Sequence, residues 1–184
     1  MPTAPTACDD WQLHPIHTFD PADLARDDIR LIPLTQGRFA LVDTADFDKL
    51  SRYKWYALRT NRIWYAYTTI NGIRTRMHRL LTKAPPGLCV DHIDHNGLNN
   101  TRRNLRLCTK AQNSRKARPQ RNTASEYKGV SPDTNKKAWQ ARIWQYRKPI
   151  YIGYFKNEEQ TARAYDKKAK ELFGEFAYIN FPDE

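Results

Sequence analysis

The sequence predicts an α+β chain of two small domains, the second a three-stranded antiparallel sheet packed on one helix. Three observations carry that expectation. Short apolar runs separated by turn dipeptides fill residues 29–87 and 127–155, where strands and hairpins are expected. A single apolar stripe (Ala162, Tyr165, Ala169, Leu172) recurs at helical spacing before Gly174. Between these regions, residues 102–121 are strongly basic and contain no acid, and their latter half is polar like a linker.

The chain has 184 residues, 40% of them apolar, enough for one medium core or two small ones. Its net charge of +11 is unevenly placed. Residues 1–28 hold six acids against one base, so residues 29–184 carry +16. That excess points to a polyanion as partner. Cys8, Cys89 and Cys108 are too few and too widely spaced for a disulfide framework, which suits a reducing cytoplasm. Cys89 and Cys108 lack the paired spacing of structural zinc and read as small buried residues. The N-terminus has no basic and apolar leader, and no apolar run has membrane-spanning length, so no membrane association is expected.

Residues 1–28, rich in Pro, Asp and Thr, read as an irregular tail. Ile29–Leu34 and Phe39–Val42 flank Gln36-Gly37 as a hairpin. Thr44 is placed to cap a short helix with Phe47, Leu50 and Tyr53 on its apolar face. Ile63–Thr69 alternates toward the turn Asn71-Gly72. Met77, Leu80 and Leu81 share a helical face that Pro85-Pro86-Gly87 ends. After a basic linker at 117–125, strands are expected at Tyr127–Ser131, Ala138–Tyr146 and Ile150–Phe155. Asn157 and Gln160 mark the start of the closing helix. On the middle strand Trp139, Ala141 and Ile143 should face that helix, leaving Gln140, Arg142, Trp144 and Tyr146 outside.

The most informative segment is Val90-Asp91-His92-Ile93-Asp94, followed by Asn99-Asn100, Arg103-Asn104-Leu105-Arg106 and Gln112-Asn113. In order and spacing it resembles the HNH nuclease family, in detail over residues 77–116. Residues 29–76 resemble the leader of phage and mobile-intron members. The resemblance implies a ββα-metal core at about 88–116 within a nuclease domain spanning 29–116. One strand would end near His92, a second would span Leu105–Cys108, and a helix would carry Asn113. It implies His92 as general base, Asn104 as the brace of the hairpin loop, and Asp91 with Asn113 as metal ligands. Oxygen donors of this kind suit Mg²⁺ or Mn²⁺, with no other small-molecule cofactor. Asn113 stands where many members have histidine. This H-N-N form includes nickases. His78 is expected to be structural.

Tyr127-Lys128-Gly129-Val130, Trp139-Gln-Ala-Arg-Ile143, Ile150-Tyr-Ile-Gly153, Ala162-Arg-Ala-Tyr-Asp166 and Ala177-Tyr-Ile-Asn-Phe181 resemble the plant ethylene-response-factor (ERF-type) DNA-binding domain, over about 126–182. That family lays its sheet in the major groove of double-stranded DNA. The resemblance places DNA contacts on Lys128, Arg142, Trp144 and Tyr151. Ser131 and Asp133 stand where the plant family has arginines, so the base sequence it reads does not transfer. Arg115, Lys116 and Arg118 form a basic strap suited to phosphates. Together these expectations describe a cytoplasmic endonuclease of a bacterial or phage-infected cell. The alternative is a DNA-binding transcriptional regulator with a degenerate nuclease site.

Overall fold

The N-terminal hairpin turns at Gln36 and Gly37, whose backbones both take φ of 63°. A two-residue turn with both φ positive matches the twist of antiparallel strands, and glycine adopts it without strain. The computed structural model describes residues 19, 21–61, 63–117, 119 and 123–182, which form two compact units divided between Cys108 and Thr109.

In the first unit, helix α1 (Pro21–Leu24) precedes β1 (Ile29–Pro33) and β2 (Phe39–Asp43), paired with Leu31 opposite Leu41. Helix α2 (Thr44–Ser51) follows directly. Its N-cap is Asp43, one residue before the expected Thr44, and the Asp43 side chain makes no cap bond. That carboxylate instead accepts the backbone N–H of Arg102 at 2.7 Å. Strands β3 (Tyr56–Thr60), β4 (Ile63–Ile70) and β5 (Ile73–Arg76) form an antiparallel sheet. The β4–β5 turn falls at Asn71-Gly72, as its dipeptide predicts. Strand β3 is not among the elements that residue pattern predicts. Helix α3 (Met77–Thr82) leads to a two-stranded sheet of β6 (Cys89–His92) and β7 (Leu105–Cys108). Ile32, Ala40, Val42, Leu50, Trp55, Ala66, Met77 and Leu81 form the main core, joining hairpin, sheet, α2 and α3.

The second unit opens with α4 (Lys110–Arg115), which carries a full capping box. Thr109 accepts from Gln112 N, and the Gln112 side chain bonds back to Thr109 N. Strands β8 (Val130–Asp133), β9 (Ala138–Gln145) and β10 (Lys148–Phe155) form a sheet with β9 central. Helix α5 (Glu158–Phe173) starts where Asn157 caps Gln160 N and ends at Gly174. Tyr165, Ala169 and Phe173 pack on Ile143, with Ile150, Ile152 and Leu172 half-buried around them. The expected stripe holds, with Phe173 deeper than Leu172.

Strand β8 begins three residues later than expected. Lys128 N donates to Asn180 Oδ1, which takes that segment out of the ladder. Gly129, at φ +78°, then lies against Tyr165. The buried Asp166 carboxylate accepts from Asn180 N, Asn180 Nδ2 and Phe181 N, closing the chain end over α5. Among the described residues no helix is long and apolar enough to cross a membrane.

A Cβ at position 129 would sit 2.1 Å from Tyr165 Cδ2 and 2.7 Å from the Arg142 carbonyl oxygen. Gly129→Ala should therefore destabilise the second unit by about 1–3 kcal/mol through overpacking, with the positive φ adding to it. Urea unfolding of the full chain checks this. An unchanged midpoint would contradict the close approach.

Candidate functional site

Asp91 and His92 end β6, where alternation along the strand sends their side chains to opposite faces. Both are buried. Asp91 stands opposite Arg106 on β7, and Arg106 Nε donates to Asp91 Oδ2 at 2.8 Å. This ion pair is itself largely shielded from solvent, with 14% and 8% of the two side chains exposed, so it fixes the carboxylate's orientation. Cys89 and Cys108 face each other across the same two strands without a disulfide between them.

Residues 93–104 link the two strands, and Asn104 organises them. Its Nδ2 donates to Asp94 Oδ1 (2.9 Å) and to the Asn99 carbonyl (2.7 Å), while its Oδ1 accepts from Asp94 N (3.0 Å). Its own carbonyl accepts from Ile93 N. Asp94 Oδ2 accepts from Asn99 Nδ2, and Asn99 Oδ1 accepts from the Thr101 hydroxyl. The loop is thus held by side-chain amides and one carboxylate, as Asn-rich and Asp-rich turns allow.

This loop is clasped to β2. Leu41 N donates to Leu98 O (2.9 Å), and Asn100 N donates to Leu41 O (2.7 Å). Arg102 forms a two-pronged ion pair with Asp46 of α2, both contacts at 2.7 Å. Gly97 packs so closely under β4 that a Cβ would lie 2.4 Å from the Trp64 carbonyl oxygen and 2.6 Å from Tyr65 Cδ1.

His92 lies in a cluster of three rings. Its centroid is 5.0 Å from that of His78 and 5.8 Å from that of Tyr65, and Tyr65 and His78 are 5.6 Å apart. Burial pulls the His78 imidazole down to about 2, with His92, Arg76 and Arg79 acting in the same direction. His78 is therefore neutral at any ordinary pH. Burial likewise raises the Tyr65 hydroxyl.

Asn113 lies on α4 in the second unit with its side chain exposed. Taken each within its own unit, the Asp91 carboxylate and the Asn113 carboxamide are hard oxygen donors of the kind that suits a divalent cation such as Mg²⁺. The fixed orientation of the Asp91 carboxylate supports that fit. Among the described residues no three His, Cys, Asp or Glu side chains form a group that could hold a metal ion.

The outer face of the second sheet carries Arg142 and Gln140 on β9, with Trp144 (55% exposed) and Tyr151 (62% exposed) beside them. A register shift between Tyr151 and Gly153 turns Tyr154 to this face as well, opposite Gln140. Gln140 Nε2 donates to the Tyr154 hydroxyl at 2.7 Å, and Lys136 Nζ lies 3.6 Å over its ring. Strict alternation would put Tyr154 inside, and only the bulge turns it out.

Three of the basic residues expected to meet DNA turn inward within this unit. Lys128 Nζ donates to the carbonyls of Arg115 (2.5 Å) and Ala117 (2.6 Å), and burial lowers its pKa to about 8. The Arg115 guanidinium lies 4.7 Å over the Phe173 ring, and Lys116 is buried. The C-terminal carbonyls of α4 attract such cations, a pull that charge counting along the sequence does not reveal. Arg118 lies outside the described residues, as do His14 and His17.

The sequence profile of the HNH endonucleases matches residues 83–115. A protein of Acanthamoeba polyphaga mimivirus named as an HNH endonuclease is 36% identical over 151 residues, covering 79% of this chain and 76% of that one. Two plant proteins resemble a shorter part. A rice protein named for AP2/ERF and B3 domains is 41% identical over 69 residues, or 38% of this chain. An AP2-like ethylene-responsive transcription factor of Arabidopsis thaliana is 38% identical over 61 residues, or 33% of it. The match spans only 19% and 13% of those two proteins.

The depressed His78 pKa has a measurable consequence. An unfolded histidine binds its proton near 6.5, whereas folded His78 does so only near 2. Its contribution to stability is therefore complete above pH 6.5 and is lost as pH falls toward 2. Between about pH 6 and 3, His78→Phe should flatten the fall in unfolding free energy by up to about 1.4 kcal/mol per pH unit. Urea titrations across that range decide it. Equal slopes would mean that His78 titrates as an exposed residue does.

Proposed function

The chain belongs to the HNH endonuclease family, and from that premise we propose a metal-dependent DNA nuclease of homing or phage type, addressed by its C-terminal sheet. The observation that carries the cleavage reading is the end of β6. His92 is fixed there by Tyr65 and His78, next to an Asp91 oriented by Arg106. His92 accepts a proton from water, whose oxygen bonds to the phosphorus as the P–O3′ bond breaks. The departing 3′ oxygen takes a proton from solvent. Asp91 and Asn113 are the residues we assign to hold Mg²⁺ or Mn²⁺. Bound there, such a cation supplies charge neutralisation at the phosphate and the departing oxygen. Asn104 acts by holding the loop so that His92 keeps its orientation.

The addressing role rests on the outer face of the second sheet. Arg142 and Gln140 can hydrogen-bond base edges, while Trp144, Tyr151 and Tyr154 pack on sugars and thymine methyls of a duplex. Partial likeness to the AP2/ERF proteins supports an ERF-type unit reading the major groove. We assign Arg115, Lys116 and Lys128 to holding the segment after α4, and leave Arg118 as a phosphate contact.

Supercoiled plasmid with Mg²⁺ tests the cleavage. The chain should produce nicked circles before linear DNA, because each chain supplies one His92. His92→Ala should lose at least about a hundredfold in rate, the scale of a missing general base. DNA binding without cleavage under any divalent metal would favour the regulator reading.

Selection of binding sites from random duplexes tests the address. Arg142→Ala and Trp144→Ala should each weaken the selected site by about 1–3 kcal/mol while plasmid nicking persists. An unaltered preference would remove the sheet from recognition.

A further inference from the structure

One face of the β3–β4–β5 sheet, buried at Tyr67 and exposed at Arg74, carries a cationic site that the cleavage chemistry does not use. Cross-strand pairing places Tyr56 and Arg76 on either side of Tyr67, and Arg74 opposite Thr69, all on one face. Arg76 Nε donates to the Tyr67 hydroxyl at 2.7 Å. Its guanidinium lies 5.1 Å from the Tyr65 ring centre and 5.4 Å from that of Tyr67. Tyr56 stacks on the far side of Tyr67, with centroids 6.1 Å apart. The guanidinium is thus held by one hydrogen bond and two aromatic faces, an arrangement that leaves its paired Nη groups as a preset fork. Among the described residues neither Arg76 nor Arg74 has a carboxylate partner, and Arg74 is exposed.

Position gives this fork its meaning. Tyr65, under the Arg76 guanidinium, is also the ring that packs on His92. Two steps, 5.1 Å and 5.8 Å, therefore separate Arg76 from the His92 imidazole. At about 3.4 Å of rise per nucleotide, such a span covers two or three nucleotides of a strand. An oriented guanidinium without an acid matches the geometry of a phosphodiester.

We propose that Arg76, with Arg74 beyond it, is a phosphate-binding site for the DNA strand that enters the cleavage centre. It anchors a backbone phosphate a few nucleotides from the bond that is cut. The site rests on the reading of His92 as the base, and it belongs to the nuclease unit, apart from the aromatic face of the second sheet. It contacts no base and so adds affinity without sequence preference.

Binding of a defined duplex by the full chain, measured across a salt series in the His92→Ala background, tests this without cleavage. Arg76→Ala should weaken binding on the order of tenfold for selected and random duplexes alike, and reduce the slope of log affinity against log salt by about one. Arg74→Ala, at an exposed position, should reduce the slope without altering the unfolding midpoint. Arg76→Lys should restore most of the slope. In the cleaving protein, Arg76→Ala should raise KM for plasmid far more than it lowers kcat. Unchanged slopes in both alanine variants, each with a wild-type circular dichroism spectrum, would overturn the proposal. Should Arg76→Ala fail to fold, Arg74→Ala and Arg76→Lys decide it, and a normal slope in the former overturns it. Persistent cleavage by His92→Ala would instead refute the choice of base, leaving the binding result to stand.

Discussion

A pair of backbone hydrogen bonds between Leu41 and the segment Leu98–Asn100 carries the first unit's site. Strands β6 and β7 have four residues each, and an isolated two-stranded ribbon of that length is not stable in water. What stabilises it is attachment. Leu41 is fully buried in β2, and its N–H and C=O reach across to the loop that joins the two short strands. Leu98, also buried, then enters the cluster formed by Phe19, Ile29 and Leu41. The Arg102–Asp46 ion pair and the Asp43 bond to Arg102 N extend the same attachment to α2. Strand β2 and helix α2 are therefore structural supports of the candidate site.

With its ends fixed, the loop can be polar inside. Asn99, Asn100, Thr101 and Asn104 are all buried, a costly composition unless each group finds a partner. Most do, through Asp94, the Asn99 carbonyl and the Leu98 carbonyl. Such networks specify one geometry, because any other arrangement leaves several buried polar groups unsatisfied at once. Gly97 contributes in a different way. Without a side chain it lets the loop lie directly on Trp64 and Tyr65, and Tyr65 in turn contacts His92. Loop placement and ring placement are thus mechanically linked.

Much of this could be read from residue order, and the limits have physical causes. The hairpin turns at Gln36-Gly37 and Asn71-Gly72 and the closing helix lie where period and turn chemistry put them, and the two short strands lie where the family resemblance implies them. Strand β3 was invisible because Tyr56-Ala-Leu-Arg-Thr gets its strand character from pairing with β4. Asp91, His92 and Asn104 stood out through their spacing. Their contacts did not, since Arg106, Asp46, Tyr65 and His78 meet the site only through folding. Asp94, Asn96 and Asn99 carried a local signal, the alternation of Asx residues around Gly97, and their turns are indeed side-chain capped. The inward turn of Lys116 and Lys128 had no such signal. Linear charge counting treats every lysine as solvent-facing, whereas the carbonyls ending α4 draw one of them in.

The second unit poses the opposite problem, since its notable residues point away from its core. Trp144, Tyr151 and Tyr154 are exposed on a sheet whose other face already holds the packing, and Tyr146 is exposed in the β9–β10 turn, where its φ is 50°. Several large aromatics clustered on one surface raise the cost of contact with water and add nothing to folding. The shift in register before Gly153 strengthens the point. Without it, alternation would direct Tyr154 toward α5, yet the chain turns it outward against Gln140 and Lys136. Stability alone gives no reason to bulge a strand so that a tyrosine meets solvent. The DNA-reading role proposed for this face would supply one, because rings offer area and the adjoining Arg142 and Lys136 offer charge.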